Sequence, residues 1–537
     1  MYHIGFNNFR KFENLNPQSL GEITILVGAN NAGKSTLVKG LMLILDNIRV
    51  LKMGGSIDSI FQSPEFRFDA NDYHDLGIGT FGRALFNKAS KDLISFAVNF
   101  NRDLTLMDDS GNTFKRKADF NILIDVTGDK SIDQTIGTIS RIFVSDNSRG
   151  INFDFNYEAN KTTIEFEAKD SSSNNTRKEL QSKIAQLEEE IEHQNSLKNI
   201  DLMKVAGLNA ELDKLRKSLD FIQQEENTQT QANKIEFDNV TFIDKLGGNY
   251  IVNQIYSVIL YARTSEYLSD EDKADLVKLK HWQNKQSDKE RINEWSASLK
   301  DLCEDLSIVI NGISIEYIYA HSVSQNIFYN TADKNDYMAK AIHRFYREKI
   351  VVGSTSHTFV KTWMKKFGIG DDFEIVSLGG EAYRFYIYDG ANKMDLADKG
   401  MGSNQIMILL LNLASIIRRY EHSYAKPVII IEEPEQNLHP ALQSRLIELF
   451  TEVNKKFGFQ FIIETHSEYI VRRAQVFVAQ GGYKDDNDAM SNSPYAVYYF
   501  PQEGDPYLMQ FRQDGKFSNK FGSGFYDEAN NLVFEIL

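Results

Sequence analysis

The hydrophobic pattern near the start of the chain predicts strand, loop and helix in that order. Residues 3–12 alternate apolar with polar positions, which predicts an edge strand. Residues 23–27 are apolar and β-branched, which indicates a buried strand, and residues 34–45 repeat leucine and isoleucine at helical spacing. The intervening residues 28–33 are polar or small. The N-terminal region is therefore expected to place a loop between a buried strand and a helix.

Four β-rich runs separated by turn residues follow this helix. They cover residues 93–100, 120–126, 139–144 and 162–166. Asp109-Ser110-Gly111-Asn112 is one of the turn signals between them. The pattern predicts an antiparallel sheet inserted after the first helix.

The period then changes to that of a coiled coil. Leucine and isoleucine residues step by four and three over residues 180–191 and again over 208–222, with a break between them. This predicts an antiparallel helical hairpin whose arms are roughly 25 Å long at 1.5 Å per residue. Its surface is rich in lysine and glutamate, so it could be a small protrusion packed on its own lobe or an arm that binds a partner.

The second half of the chain alternates helical and strand patterns. Helices are predicted over much of 249–310 and over 337–349, 359–367 and 406–419. Strands are predicted at 314–319, 428–431 and 459–463, with two more within 373–388. The whole pattern predicts an α/β protein in four parts. They are an N-terminal lobe (1–170), the hairpin (171–230), a helical and mixed insertion (231–390) and a C-terminal lobe (391–537).

Composition narrows the class of protein. The chain has 537 residues and a formal charge of −15, so it exceeds one typical domain and its average surface repels nucleic acid. Its single cysteine, Cys303, excludes an internal disulfide and fits a reducing cytoplasm. No run of 18 apolar residues and no basic-then-apolar leader is present, so neither a membrane span nor a signal peptide is expected.

The loop between the first buried strand and helix matches the phosphate-binding pattern G-x-x-x-x-G-K-[S/T]. Gly28, Gly33, Lys34 and Ser35 stand at its fixed positions. Backbone N–H groups of such a loop bind anions at a helix N-terminus, the lysine reaches the terminal phosphates and the hydroxyl binds Mg²⁺. The candidate nucleotide-binding residues are Asn30, Asn31, Ala32, Gly33, Lys34, Ser35 and Thr36. A chance match in a loop is the alternative, and the flanking strand and helix disfavour it.

Acidic residues follow the apolar run 428–431. Glu432 and Glu433 come at the C-terminal end of this predicted central strand, where open α/β sheets place their sites. Beside a phosphate-binding loop this is a Walker B strand, in which Glu432 would organise Mg²⁺ and Glu433 would activate the attacking water. His466 follows the next strand, in the position of a γ-phosphate sensor. An exposed acidic turn and a structural histidine are the alternatives.

Three further features are weaker. Gly402 and Ser403 lie in a Gly/Ser turn before the apolar helix 406–419, which is another anion-binding helix start. Arg10 and Lys11 could touch the nucleotide or form a solvated turn. The run 485–488 is acidic and could bind a metal or be a solvated loop.

These elements, in this order and with a long insertion, resemble the ABC-type ATPase heads of the SMC, Rad50 and RecF group. The chain is more similar to bacterial "AAA family" ATPases with split ABC heads, which include the OLD proteins and the Septu-type and retron-associated ATPases of phage-defence operons. The residues that carry the resemblance are 6–10, 28–36, 75–81, 398–405, 431–440, 465–467 and part of the tail. They cover both ends of the chain and hardly touch 100–390.

The resemblance implies an ABC-type P-loop ATPase head, with a mixed sheet and flanking helices, that uses ATP and Mg²⁺. Residues 30–36 of one copy would bind the phosphates, and Gly402 and Ser403 of a second copy would close over the γ-phosphate in a head-to-tail homodimer. Glu433 would be the general base and His466 the switch histidine. Ser35 and Glu432 would hold the metal. The chain departs from the family in having Glu432 where many members have Asp, and in lacking the Ser-Gly-Gly-Gln order of the signature. The weak Q-loop candidate is 74–77.

The same resemblance implies a cytoplasmic ATPase that regulates a separate effector, a nuclease, in an anti-phage complex that could include DNA or a retron RNA–DNA. Only 71 residues follow His466, which is short for a nuclease domain of the OLD type. The alternative is a RecF- or Rad50-like repair ATPase that binds DNA, for which the lysine and arginine residues at 115–117, 361 and 365–366 are candidate contacts. A transporter subunit would require a membrane partner, and a small-molecule kinase does not suit the paired acids.

Overall fold

The structure is a computed structural model. It describes residues 2–51, 64–69, 77–107, 111–131, 133–166, 234–238, 249–262, 295–319, 326–330, 336–379, 381–423, 425–481, 493–522 and 525–527, with isolated positions elsewhere. The predicted coiled-coil hairpin lies almost wholly outside the described residues. The acidic run 485–488 and most of the Q-loop candidate 74–77 also lie outside them.

A mostly parallel sheet forms the centre of the fold. Its strands are β3 (Ile23–Gly28), β11 (Ile315–Tyr319), β16 (Val428–Glu432), β17 (Gln460–Glu464), β18 (Tyr495–Phe500) and β19 (Tyr507–Met509). Their order is β11-β16-β17-β3-β18-β19, and only β19 runs antiparallel to its neighbour. The strand that leads into the phosphate-binding loop, β3, therefore lies beside β17, and β16 lies one position farther away.

Both faces of this sheet are buried, which explains its near-continuous apolar runs. Along β16, Val428 and Ile430 face one hydrophobic cluster while Ile429 and Ile431 face another. The first cluster also contains the buried face of α1 (Lys34–Val50), and the second contains the helices of the C-terminal lobe. Because successive side chains along a strand point to opposite faces of the sheet, an acid at a strand end faces α1 only if it lies an even number of residues from a side chain that packs on α1.

An antiparallel sheet packs on the α1 side. It contains β1 (Tyr2–Phe9), β2 (Phe12–Leu20), β4 (Glu65–Arg67), β5 (Leu93–Met107), β6 (Thr113–Thr127), β7 (Ile136–Asp146), β8 (Ile151–Asn156), β9 (Lys161–Phe166) and β10 (Lys234–Asp238). The order is β10-β9-β8-β7-β6-β5-β1-β2, with β4 beside β7. The predicted inserted antiparallel part is thus confirmed, and so is the mixed α/β class.

The remaining elements surround the two sheets. A small antiparallel sheet consists of β12 (Tyr329–Asn330), β13 (Asp372–Leu378), β14 (Ala382–Asp389) and β15 (Asn392–Asp395). The other helices are α2 (Phe81–Ala84), α3 (Tyr250–Ala262), α4 (Ser296–Asn311), α5 (Tyr337–Arg347), α6 (Thr355–Lys366), α7 (Met401–Tyr420), α8 (Pro440–Phe457) and α9 (Glu468–Ala479), and a 3₁₀ turn spans Leu396–Asp398.

Three details differ from the sequence-based expectations. The first strand is not an edge strand, because β1 pairs with both β2 and β5, and β2 forms the edge. Strands β2, β4, β8, β10, β12, β15, β18 and β19 were not predicted. Helix α7 begins at Met401 rather than at 406, so Gly402 and Ser403 lie inside its first turn.

Helix α7 is the single described helix that is long and apolar enough to cross a membrane. It has 20 residues, and 72% of its most apolar window is buried inside the fold. This burial is what a core helix shows, and α7 packs against α5 and α6 in the C-terminal lobe.

Candidate active site

The loop between β3 and α1 has the backbone of a phosphate-binding loop. Gly28 and Gly33 have φ values of 133° and 111°, and Asn31 has a φ of 58°. A side chain at Gly28 would place its Cβ 2.1 Å from the carbonyl oxygen of Phe500, so packing as well as conformation requires glycine there. Asn30 and Asn31 are exposed, whereas Ala32 and Gly33 are buried against the fold. The loop thus presents its outer turn to solvent at the N-terminus of α1.

Lys34 folds back onto this loop. Its Nζ donates hydrogen bonds to the carbonyl oxygens of Gly28 at 3.2 Å and Ala29 at 2.9 Å. Burial lowers the pKa of Lys34, and the nearby carboxylates of Glu464 and Glu433 oppose that shift. The ammonium group therefore lies among acids at the centre of the site, held by two weak acceptors that a phosphate oxygen can replace.

Ser35 contacts an acid that the sequence did not single out. Its Oγ donates to Oε1 of Glu464 at 2.9 Å. Glu464 ends β17, which pairs directly with β3, and it is the Cα partner of Glu432 at the end of β16. Since Glu464 and Ile462 share a strand face, as Glu432 and Ile430 do, strand alternation turns both acids toward α1.

Glu464 is a strongly perturbed group. It is 6% exposed, and burial raises its pKa to about 7, with the Ser35 hydrogen bond and Lys34 opposing and Glu432 adding to the shift. Its second oxygen, Oε2, is buried and has no hydrogen-bond partner among the described residues. A perturbed buried carboxylate beside a phosphate-binding loop is typical of a functional site.

Glu433 and His466 come together at the ends of neighbouring strands. His466 Nε2 lies 3.6 Å from Glu433 Oε1, and both side chains are partly exposed. Glu433 has a φ of 46°, and its N–H donates to the carbonyl oxygen of Glu464 at 2.7 Å. Burial lowers the pKa of His466, and Lys34 adds to the shift while Glu433 opposes it. The surroundings therefore favour the neutral form of the His466 imidazole, which lies near both the Glu433 carboxylate and Lys34.

A second layer of polar contacts holds this pair. Oε1 of Glu435 accepts the backbone N–H of His466 at 2.7 Å, which joins the loop after β16 to the loop after β17. Glu435 is buried, which raises its pKa, and its Oε2 has no partner. Gln436 Nε2 donates to the other oxygen of Glu433. Neither Glu435 nor Gln436 was predicted to belong to the site.

The start of α7 lies against the loop after β16. A Cβ at Gly402 would approach the carbonyl oxygen of Asn437 to 2.7 Å, and Ser403 donates its N–H to Gly400. Gly400 and Met401 are exposed at this helix start, and Gly402 and Ser403 are partly exposed. Gly402 and Ser403 thus contact residues of their own lobe, and the phosphate contact expected for them remains a prediction.

The basic residues considered as nucleic-acid contacts are mostly paired. Lys361 binds Asp372, Lys365 binds Asp371 and Lys366 binds Glu452. Arg116 is bound by three acids of α4. Lys11, in the turn after β1, donates to the carbonyl oxygen of Asn31 at 2.8 Å and so braces the phosphate-binding loop.

The donor set fits a nucleotide with a divalent cation. The loop supplies N–H groups at a helix start, and Ser35, Glu432 and Glu464 supply the hard oxygen atoms that Mg²⁺ prefers. In the described part of the chain no group of three or more acid, histidine or cysteine side chains could hold a metal unaided.

The phosphate-binding loop lies at the carboxyl edge of a parallel sheet. Acids and a histidine lie at the ends of β16 and β17, on one side of the loop strand. This combination defines a P-loop ATPase. The model of the AAA ATPase domain family matches residues 1–471. The chain belongs to this family.

Solved structures are similar over nearly the whole chain at low identity. They include an Smc head domain with an extended coiled coil, bound to the C-terminal domain of ScpA, from Pyrococcus furiosus (12% identity, 100% of both chains, TM-score 0.34). An SMC head domain from Thermotoga maritima shares 9% identity over 95% of this chain and 98% of its own, with a TM-score of 0.31. The recombination mediator protein RecF with ATPrS shares 11% over 94% and 97%, with a TM-score of 0.30. No curated protein matches the chain.

Proposed function

We propose that the chain binds Mg²⁺–ATP at the β3–α1 loop and hydrolyses it in a head-to-tail homodimer. The observation that carries this proposal is the meeting of Glu433 and His466 beside Lys34, at the carboxyl edge of the sheet. Residues 30–36 bind the phosphates, and Ser35 and Glu432 hold the metal side. Bound magnesium supplies positive charge to the phosphate oxygens.

In this mechanism Glu433 takes a proton from a water molecule whose oxygen attacks the γ-phosphorus, and ADP leaves. His466 donates a hydrogen bond to the γ-phosphate and senses its presence. The second copy contributes Gly402 and Ser403, which remain partly exposed at the start of α7. Donors from both copies then surround the transferred charge.

The chemistry is tested with two variants. Lys34→Ala is expected to abolish binding of a fluorescent ATP analogue, while Lys88→Ala, which removes an exposed lysine, leaves it unchanged. Glu433→Gln is expected to bind ATP and to trap the closed dimer because the water has lost its base. Hydrolysis by Glu433→Gln at the normal rate would show that another group is the base.

The composite site is tested by mixing two inactive chains. Lys34→Ala destroys one half of each site and Ser403→Arg destroys the other half. A mixed dimer then contains one intact site, so mixing should restore ATP-dependent dimerisation and part of the hydrolysis. If Ser403→Arg alone hydrolyses ATP normally, the helix start does not complete the site.

We further propose that this ATPase works in the cytoplasm and regulates a separate effector, a nuclease, in a bacterial anti-phage defence complex. The proposal is supported by the resemblance of the sequence motifs to those of defence ATPases. The effector complex could also hold DNA or a retron RNA–DNA. The purified chain is expected to hydrolyse ATP slowly and to leave DNA uncut.

Two results would redirect this proposal. Metal-dependent DNA cleavage by the lone chain, lost on changing Asp486, would place the nuclease in this protein. A salt-dependent affinity for bare duplex DNA with a steep slope would favour the RecF- or Rad50-like repair function instead.

A further inference from the structure

Glu464 is the acid that touches the metal-side hydroxyl of the phosphate-binding loop. Its Oε1 accepts the hydrogen bond of Ser35 Oγ at 2.9 Å. Among the described contacts the Ser35 hydroxyl bonds to Glu464 and not to Glu432, because β17 lies between β16 and the loop strand β3. Neighbouring strands are roughly 4.8 Å apart, so Glu432 starts about one strand spacing farther from the loop than Glu464 does.

The second oxygen of this carboxylate is unsatisfied. Oε2 of Glu464 is buried and accepts no hydrogen bond from any part of the chain that the structure describes, in a side chain that is 6% exposed. A buried carboxylate oxygen without a partner destabilises the fold, so such groups are uncommon unless a ligand satisfies them. Because both oxygens belong to one carboxylate, the unsatisfied one also lies beside Ser35.

Lys34 does not neutralise Glu464 directly. Its Nζ is held by the carbonyl oxygens of Gly28 and Ala29, and among the described residues the hydrogen bond of Glu464 is to Ser35. Glu432, the Cα partner of Glu464, adds a second negative charge on the same face of the sheet. Two adjacent acids and a hydroxyl therefore lie together at a phosphate site, with Lys34 near enough to act on Glu464 electrostatically but hydrogen-bonded to the loop carbonyls.

We propose that Glu464 is a positioning residue for the magnesium ion that accompanies the nucleotide. One oxygen orients the Ser35 hydroxyl, and the other would be available, with Glu432, to the water molecules around the cation. This inference rests on the proposed nucleotide site and assigns Glu464 a role that the sequence reading gave to Glu432 alone. The ligand class is a divalent cation that is bound as a complex with a triphosphate.

The test uses Mn²⁺ as the probe, because bound and free Mn²⁺ are distinguished by electron paramagnetic resonance. The full chain is titrated with Mn²⁺ in the presence of a saturating non-hydrolysable ATP analogue. Glu464→Gln keeps the size of the side chain and removes its charge, so its Mn²⁺ affinity is expected to fall by about 10-fold or more, the range of second-layer metal residues. Its affinity for the analogue in EDTA is expected to stay within about 2-fold of wild type.

A double-mutant cycle separates positioning from general damage. If Glu464 acts through the Ser35 hydroxyl, the effects of Glu464→Gln and Ser35→Ala on Mn²⁺ affinity are expected to be less than additive. Glu158→Gln removes an exposed carboxylate of the β8–β9 turn and serves as the matched control. If Glu464→Gln fails to fold, Glu464→Asp keeps the charge, shortens the reach and is expected to weaken Mn²⁺ binding in the same assay.

The outcomes are distinct for the two proposals. Wild-type Mn²⁺ affinity in a folded Glu464→Gln or Glu464→Asp chain, or additive effects in the cycle, would overturn the role of Glu464 and leave the nucleotide site intact. Failure of the wild-type chain to bind the analogue, with or without metal, would instead overturn the proposed function.

Discussion

The perturbed carboxyl of Glu464 predicts a specific pH dependence of stability in the nucleotide-free, metal-free protein. Burial raises its pKa from 4.5 to about 7. A carboxyl whose pKa is raised on folding binds more protons in the folded state between these two values. Stability is therefore lost as the pH rises through this window, and the full penalty is present above about pH 7.

The size of the effect follows from the shift. Raising the pKa from 4.5 to about 7 is worth about 3 to 4 kcal/mol, at about 1.4 kcal/mol per pH unit. Most of this difference develops between about pH 5 and about pH 8, where it amounts to about 2 to 3 kcal/mol. Glu464→Gln lacks the titrating group and should escape this loss.

The assay compares melting temperatures of wild type and Glu464→Gln in EDTA without nucleotide. The melting temperature of Glu464→Gln minus that of the wild type is expected to increase as the pH rises from about 5 to about 8, whereas the same difference for Glu158→Gln should stay constant. A Glu464→Gln chain whose melting temperature differs from wild type by the same amount at every pH, or falls behind as the pH rises, would show that Glu464 is not held protonated by its surroundings. The reasoning from its burial would then be wrong.

Three more predictions follow from individual contacts. Asp305 is fully buried between Arg116 and Arg149, so Asp305→Ala should lower the free energy of unfolding by about 3–5 kcal/mol, measured by chemical denaturation, and an unchanged midpoint would contradict it. Gly28→Ala should prevent binding of the ATP analogue in fluorescence titrations, because its Cβ would meet the Phe500 carbonyl; wild-type affinity would refute this. Glu435→Ala removes the acceptor of the His466 N–H and should lower kcat about tenfold with little change in nucleotide affinity, so an effect on affinity alone would argue against a positioning role.

Local patterns in the sequence were enough for the elements of the site. The strand before the loop, the loop itself and the helix after it follow from apolar runs and from the fixed spacing of Gly28, Gly33 and Lys34. The strand at 428–432 and the next at 460–464 were also predictable, because both are short, apolar and end in acids. These features depend only on residues close together in the chain.

What the sequence left open was which elements become neighbours. Residues 3–12 alternate like an edge strand, yet β1 lies between β2 and β5. Local periodicity could not predict this pairing, because the partner residues are up to about a hundred positions away in the sequence. The start of α7 was placed too late because Gly402 to Gln405 are polar or small, although Asn404 and Gln405 are buried by the tertiary fold.

Sequence alone therefore determined that this chain carries a phosphate-binding loop, acids and a histidine at the ends of buried strands, in an α/β setting. Only the tertiary structure decided that β17 lies beside the loop strand and β16 one place beyond it, which puts Glu464 rather than Glu432 on the Ser35 hydroxyl. The alternation of side chains along a strand can be predicted from the local sequence, and it turns Glu432 and Glu464 to the same face of the sheet. The order of parallel strands depends on contacts between distant segments, and no local periodicity encodes it.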